Sequence, residues 1–378
     1  MVARVFVTGA SGFVGSNLVA HLRGMTAYDV TAITRDTDIE TLRGARADHV
    51  IHLAGANRPV TESGFVADNV GYTESVLDLL VPASPRAGFI FASTIKVTED
   101  SPYGTSKRAA EDIIAATAPQ KGWNTSILRL PNLFGKWCRP YYNSFVSTFI
   151  DQAITGQQIS INDPTAEVDL LYIDDLLDIV LGLMQDTGDD ADLRTVAQFP
   201  TYRRTVGHVA DCVTTYAATH GTPWLAPVAD PFDKKLHATY LSYLPVDARR
   251  FDLTGIASDT GSFCEVFKSR DWGQVSVLTI EPGAVRGNHY HHTKCENFHL
   301  VHGEVSLIEH DVRGGGEQVS TIGQGNSFWT RPGWVHRVEN TGDRTATFLI
   351  WANEVYDNAR PDTYPPLPQD RTQDKVGG

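Results

Sequence analysis

Cysteine is scarce: Cys138, Cys212, Cys264 and Cys295 are the four in 378 residues, too few and too scattered for a disulfide framework. A reducing, cytoplasmic setting fits that usage. No apolar run reaches the length of a membrane-spanning helix. The N-terminus opens as a strand entering a glycine turn, so no leader segment is expected. Positive charge is also short. With 32 Lys and Arg against 45 Asp and Glu, the formal net charge is −13, which argues against nucleic acid or an anionic membrane surface as a general partner. Internal repeats and low-complexity tracts are missing as well. What remains, 42 % hydrophobic and 20 % charged residues, is an ordinary globular composition. The length exceeds the usual size of one hydrophobic core, so two domains are expected.

Histidine is distributed unevenly. Seven of the thirteen fall between positions 289 and 336. His289 and His291 stand two apart, so on an extended strand both rings project from one face. Glu296 follows a short polar turn, and His336 lies downstream among Gly325, Gly333 and Asn340. Two imidazoles, a carboxylate and a further imidazole suit zinc, iron, manganese or nickel, with room for water or substrate. His292, His299, His302 and His310 read as supporting or merely polar. From Gly261 onward the pattern is one of short strands (262–267, 273–280, 297–301, 305–309, 327–330 and 346–352) separated by Gly and Pro turns, as in an all-β jelly roll.

The first part of the chain alternates strand and helix. Arg4–Thr8 is a short apolar strand that runs into Gly9-Ala-Ser11-Gly12-Phe13-Val14-Gly15 and then an amphipathic stretch. Glycines let the backbone approach a pyrophosphate, and the following helix offers free amides at its positive end. A second strand over 30–34 ends at Thr34-Arg35. Arg35 can hold a 2′-phosphate, whereas Asp36, one step on, would suit a ribose hydroxyl; the reading is NADPH. A third strand exits through Leu53, Ala54 and Gly55, small enough to leave space beside a cofactor. Residues 62–80 read as helical, with Asn69 either facing the dinucleotide or serving as a polar helix residue. The strand Gly88–Thr94 ends in Ser93-Thr94, and nine residues later come Tyr103 and Lys107, four apart and on one helical face. A lysine there can lower the phenol's pKa and hold the nicotinamide ribose, with Thr94 bonded to a substrate carbonyl and Tyr103 as proton donor in a ketone reduction. Asp174 and Asp175 read as helix caps. Residues 186–192 are expected as a surface loop, 205–220 as a helix, and 223–231 as a proline-rich connector.

These motifs resemble the extended short-chain dehydrogenase/reductases, whose fold is Rossmann-like α/β. Within that resemblance Arg129-Leu-Pro-Asn132-Leu-Phe-Gly135 matches a nucleotide-sugar motif, which places Asn132 at the substrate's phosphates with Lys136, Arg139 and Asn143 in reach. The histidine region resembles the two cupin motifs, with five residues between Gly283 and His289, four between His291 and Glu296, and six between Glu296 and Gly303. In the second motif Arg331 stands where a proline is usual, with Pro332 next. The expected architecture is therefore an extended reductase domain over residues 1–250, followed by a metal-binding cupin over 251–378. The pairing, with Leu133-Phe-Gly-Lys-Trp-Cys138, Gly287-Asn-His-Tyr-His-His-Thr-Lys294 and Trp351-Ala-Asn-Glu354, is similar to the CapF-like capsular polysaccharide enzymes. The resemblance implies a dimeric, NADPH-dependent, zinc-containing bifunctional enzyme. Its substrate would be a UDP-linked 4-keto-6-deoxy amino sugar, epimerised at C3 and then reduced at C4. Asn297 stands where that family carries a lysine, and His299 and His302 also depart from it. A reductase whose cupin is purely structural is the alternative.

Overall fold

A computed structural model describes residues 2–59, 61, 63–186 and 192–367. Most of the loop expected at 186–192 lies outside the described residues. Two compact units are present. The first comprises the chain up to Ala217 together with Val228–Leu244; the second comprises Ala218–Pro227 together with the chain from Pro245 onward. The connector expected over 223–231 is divided, its part from Val228 lying in the first unit and its part up to Pro227 in the second for a backbone reason. Leu225 N–H donates to Lys268 O (2.9 Å) and Lys268 N–H to Pro223 O (2.8 Å), adding the connector beside the strand Gly261–Ser269.

The first unit is built on a six-stranded sheet in the spatial order 193–196, 124–130, 88–94, 49–52, 3–8 and 28–33. Every pairing in it is parallel. Both faces are covered, so the strands read as continuous apolar runs, such as Val5-Phe-Val, rather than alternating ones. One side buries Val5, Val7, Leu18, Leu22, Ile51 and Leu177, the other Val50, Phe89, Phe91, Ala110 and Trp123. The chain steps from Ala3–Thr8 out to Tyr28–Ile33, then returns to the other side of the first strand at His49–His52. That reversal opens a crevice at the carboxyl ends of the strands, where such sheets bind ligands.

Two glycines make the first turn possible. Gly9 has φ +67°, and a Cβ on it would lie 2.7 Å from Ala54 N. A Cβ on Gly15 would lie 2.1 Å from Gly9 O, so the helix Phe13–Arg23 can start against the turn only without a side chain there. The expected helix over 62–80 is present in pieces: Ser63–Val66, a widened π turn at Ala67–Gly71, and Tyr72–Leu79. Asn69 sits in that turn, a form of helix irregularity common at functional sites.

In the second unit all strands are antiparallel and form two sheets, one of six strands and one of four. Their inner faces share a core that includes Leu278, Ile280, Phe298, Leu300, Val305, Val338 and Phe348. Burial alternates along Gly273–Ile280, as a half-covered sheet requires. This is the cupin-type jelly roll expected from the strand spacing. The four-stranded sheet contains Val285–His289, Gln318–Gly323 and Trp334–Glu339, none of which the residue pattern had marked as strands.

Candidate active site and metal centre

The strand Gly88–Thr94 and the helix Pro102–Thr117 bring Thr94, Tyr103 and Lys107 together. Pro102 sits in the first turn of the helix and Ser101 caps it, accepting from Gly104 N–H at 3.1 Å. This fixes the start of the helix, and Tyr103 and Lys107 follow one turn apart. Thr94 is hydrogen-bonded to the Tyr103 hydroxyl. Burial raises the Tyr103 pKa, with the Thr94 bond pulling the other way, so the phenol keeps its proton at neutral pH. Lys107 is 4 % exposed. Its ammonium donates to Ala92 O at 2.9 Å and lies 4.6 Å from the centre of the Phe91 ring. Desolvation lowers its pKa to about 8, opposed by the charge of Glu111.

Glu111, one turn beyond Lys107, is a residue the sequence reading missed. Its Oε1 accepts from Ser93 Oγ at 2.5 Å, and its Oε2 accepts from the Arg129 guanidinium at 2.7 Å. Ser93 therefore anchors the helix to the strand, which leaves Thr94 as the hydroxyl that faces Tyr103. His52 is a second missed group, fully buried and held neutral, its pKa lowered to about 3 by desolvation. Its bonds form one chain. Thr73 Oγ1 donates to Asn69 O (2.6 Å), so it accepts from His52 Nε2–H (2.9 Å). Nδ1 then accepts from Thr8 Oγ1 (2.6 Å), which itself accepts from Ala54 N–H (3.2 Å). This chain ties the glycine-turn strand to the exit at Leu53–Gly55.

Asn69 is buried, with Oδ1 accepting from Ala56 N–H (2.8 Å) and Nδ2 donating to Ala56 O (3.2 Å) and Ser106 Oγ (2.9 Å). It holds the 55–56 backbone against the catalytic helix. A Cβ on Gly55 would lie 2.6 Å from Asn69 Oδ1 and 3.1 Å from Lys107 Nζ, so only glycine leaves that space open. Gly9, Gly15 and Gly55 stand where a Cβ would meet backbone or buried side chains, so the turn, the helix start and the strand exit pack closely at the strand ends, an arrangement that fits a dinucleotide site. Ser11 and Gly12 are exposed at the turn, Phe13 and Val14 are half-buried, and Arg35 and Asp36 are exposed after the second strand.

Of the residues expected at the substrate's phosphates, Asn132 opens the strand Asn132–Phe134 and Lys136, Arg139 and Asn143 lie in the loop that follows it. Asn132 and Asn143 are exposed. Lys136 pairs with Asp174 at 2.7 Å, and Arg139 lies 5.8 Å from the centre of the Tyr142 ring. Tyr142 acts electrostatically on Tyr103, so this loop borders Tyr103. Trp137 (φ +67°) and Tyr141 (φ +57°) take up a left-handed backbone and are 54 % and 55 % exposed. Strained, solvent-facing aromatics of this kind cluster at ligand sites. Asp174 and Asp175 are not caps: the cap position of Ile173–Gln185 is Tyr172, and the two acids pair with Lys136 and Lys235.

In the second unit, the ligand atoms of His289, His291, Glu296 and His336 lie within 4.8 Å of one another. His289 ends its strand, and His291 follows the antiparallel bridge of Tyr290 with Tyr364, so alternation still sets both rings on one side. A bulge at Gly287–His289, with Asn288 at φ +63°, aims His289 at His336 on the paired strand. Several features fit a divalent cation. Both ring nitrogens of buried His336 lack a hydrogen-bond partner. His291 Nδ1 donates to Asp362 O, so Nε2 presents a lone pair, 3.2 Å from Glu296 Oε2. Two lone pairs cannot face each other at that distance without a positive charge between them, which a metal ion or a second ring proton on His291 supplies. Burial and the neighbouring rings hold His289 and His336 neutral, with pKa values lowered to about 4 and about 3, while the Lys294 ammonium helps hold Glu296 ionised, its pKa lowered to about 2 despite its burial. Asp362 also accepts from the backbone N–H groups of His292 (2.9 Å), Thr293 (2.6 Å) and Lys294 (2.7 Å), pinning the turn between the ligands. Lys294 Nζ lies 3.3 Å from Glu296 Oε1.

Comparison with known proteins matches residues 5–194 to the NAD dependent epimerase/dehydratase family and residues 257–364 to the polysaccharide biosynthesis C-terminal domain. The chain is 35 % identical over 367 residues, 96 % of its length and 98 % of the relative's, to the UDP-2-acetamido-2,6-beta-L-arabino-hexul-4-ose reductase of Pseudomonas aeruginosa. It superposes on the capsular polysaccharide assembling protein CapF of Staphylococcus aureus with a TM-score of 0.85 and 33 % identity, covering 97 % of this chain and all of that one. The UDP-glucuronic acid 4-epimerase of Bacillus cereus, solved with NAD, shares the fold of the first unit at 20 % identity and a TM-score of 0.52, over 63 % of this chain and 98 % of that one.

Proposed function

The chain belongs to the NAD dependent epimerase/dehydratase family, in the two-domain form represented by CapF, and from that membership we propose that it is a bifunctional nucleotide-sugar enzyme. The first unit reduces the C4 ketone of a UDP-linked 6-deoxy-N-acetylhexosamine, and the second epimerises the same sugar at C3 beforehand. The observation that carries the reading is the group of buried Thr94 and Lys107 with half-buried Tyr103 beside the close-packed glycine turn, in a chain that matches a 4-ulose reductase over nearly its whole length.

Gly9–Gly15, Arg35, Leu53–Gly55 and Lys107 would hold NADPH, which when bound would supply the hydride. Tyr103 delivers the proton to the C4 oxygen as its carbonyl becomes an alcohol, and Thr94 orients that oxygen. A protonated Tyr103 at neutral pH is the form this step requires. Lys136, Arg139, Asn132 and Asn143 hold the diphosphate and sugar, with Trp137 and Tyr141 as surfaces for the base.

A divalent ion such as zinc, held by His289, His291, Glu296 and His336, would supply charge stabilisation to the enolate formed when the proton leaves C3 next to the ketone. Lys294, held at Glu296, keeps a cation at this site although Asn297 stands where the family carries a lysine. Homodimerisation, as the resemblance implies, is part of the proposal.

The test of the reductase half is NADPH oxidation with a UDP-linked 4-keto-6-deoxy-N-acetylhexosamine, comparing wild type with Tyr103→Phe. Turnover that falls by about 100-fold or more in the variant is the expected result. Equal rates in both proteins would remove Tyr103 from its role.

A further inference from the structure

Among residues assigned to neither site, the helix Val206–Thr219 presents His208 and Cys212 one turn apart, facing Asp233 in the first turn of the helix Pro231–Tyr243. Their ligand atoms form a triangle: His208 Nε2 to Asp233 Oδ1 is 3.4 Å, Cys212 Sγ to His208 Nε2 is 3.5 Å, and Cys212 Sγ to Asp233 Oδ1 is 3.6 Å. The nitrogen–oxygen distance is long for a hydrogen bond, beyond the usual range of about 2.7–3.2 Å, while the two sulfur contacts have an ordinary length for one. As edges of a coordination tetrahedron they are right. Metal–ligand lengths of about 2.05 Å for nitrogen, 2.3 Å for sulfur and 2.0 Å for oxygen give edges of about 3.3 Å (N–O), 3.6 Å (N–S) and 3.5 Å (S–O). The three ligand atoms are therefore already spaced for one ion.

We propose that His208, Cys212 and Asp233 form a second metal site, of the zinc class, that clamps these two helices together. The donor set of one imidazole, one thiolate and one carboxylate selects a borderline-soft tetrahedral cation over calcium or magnesium. The His208 side chain is 41 % exposed, which gives an ion and a fourth ligand of water access from solvent. Binding releases the Cys212 thiol proton to solvent. The clamp has a structural consequence. The second helix also carries Lys235, which donates to both oxygens of Asp175 (2.7 and 2.7 Å) and to Tyr202 (2.8 Å), so fixing its first turn fixes that ion pair.

The test uses the full chain, stripped of metal and titrated with cobalt(II) or zinc. In a His289→Ala/His336→Ala background, which removes ligands of the cupin centre, we expect about one equivalent bound per chain. The cobalt form should show a thiolate-to-cobalt charge-transfer band that Cys212→Ser abolishes and Cys295→Ser leaves in place. In the wild type, zinc should slow alkylation of Cys212 at least about tenfold, and His208→Gln should remove that protection. The alkylation measurement needs no change in the cupin, so it decides the matter even if the double variant folds poorly. Unprotected Cys212 at saturating zinc, or a cobalt band that survives Cys212→Ser, would overturn the proposal.

Discussion

Replacing Lys107 by methionine should abolish reduction and stabilise the protein. Lys107 is almost wholly buried, and its pKa is lowered from 10.5 to about 8. That difference corresponds to about 3 kcal/mol against the charged form at neutral pH. Methionine removes the buried charge, but it also removes the bond to Ala92 O and the contact with the Phe91 ring, which together return about 1–2 kcal/mol. The net expectation is a gain of about 1–2 kcal/mol at pH 7, or a melting midpoint higher by about 2–5 °C. The pH dependence is the sharper part. Between pH 8 and 10.5 the folded lysine is neutral while the unfolded one still binds its proton, so the wild type gains stability with rising pH in that window and the variant does not. Thermal melts of both proteins at pH 7 and pH 9.5 should show the variant's advantage shrinking by about 2 kcal/mol. A variant that melts below wild type at pH 7, or a difference that is the same at both pH values, would refute the reasoning.

Glu111→Gln should destabilise the first unit by about 2–3 kcal/mol, because Arg129 and Ser93 lose an ionised partner, discounted here for the partial exposure of Arg129. It should also move the alkaline limb of the rate profile to lower pH, since Glu111 is what raises the Lys107 pKa; a pH–rate series checks the direction. Arg35→Ala should raise the KM for NADPH while leaving that for NADH nearly unchanged, measured by steady-state kinetics. Asp362→Asn should weaken zinc binding at the cupin by about 10–100-fold, because it loosens the turn between the ligands; competition with a chelating dye reads the affinity.

Groups fixed by local periodicity were legible in the sequence. Tyr103 and Lys107 are one helical turn apart, and His289 and His291 one strand repeat apart, so spacing alone set each pair on one face. The glycine turn was legible because its backbone has no room for side chains. The supporting groups were not. His52 reaches Thr8 and Thr73 across 44 and 21 residues, and Asp362 reaches the histidine turn across about 70; nothing near either marks its partner. Glu111 was within reach of a closer reading, since it lies four residues past Lys107 on the same helix. The strands Val285–His289 and Gln318–Gly323 escaped because one contains Gly287 and Asn288 at a bulge and the other is a mostly exposed edge. Asp174 and Asp175 looked like caps because acids favour a helix start, but the lysines facing them took both side chains.

The central claim is that one sugar is handled twice, first by the cupin and then by the reductase. It is tested most directly by incubating a UDP-linked 4-keto-6-deoxy-N-acetylhexosamine with zinc-loaded protein in heavy water, without NADPH, and following C3 by mass spectrometry and proton NMR. The account predicts enzyme-dependent deuterium at C3 that disappears in His289→Ala. Oxidation of NADPH on the same substrate with no deuterium at C3 would contradict it and leave a reductase joined to a structural cupin.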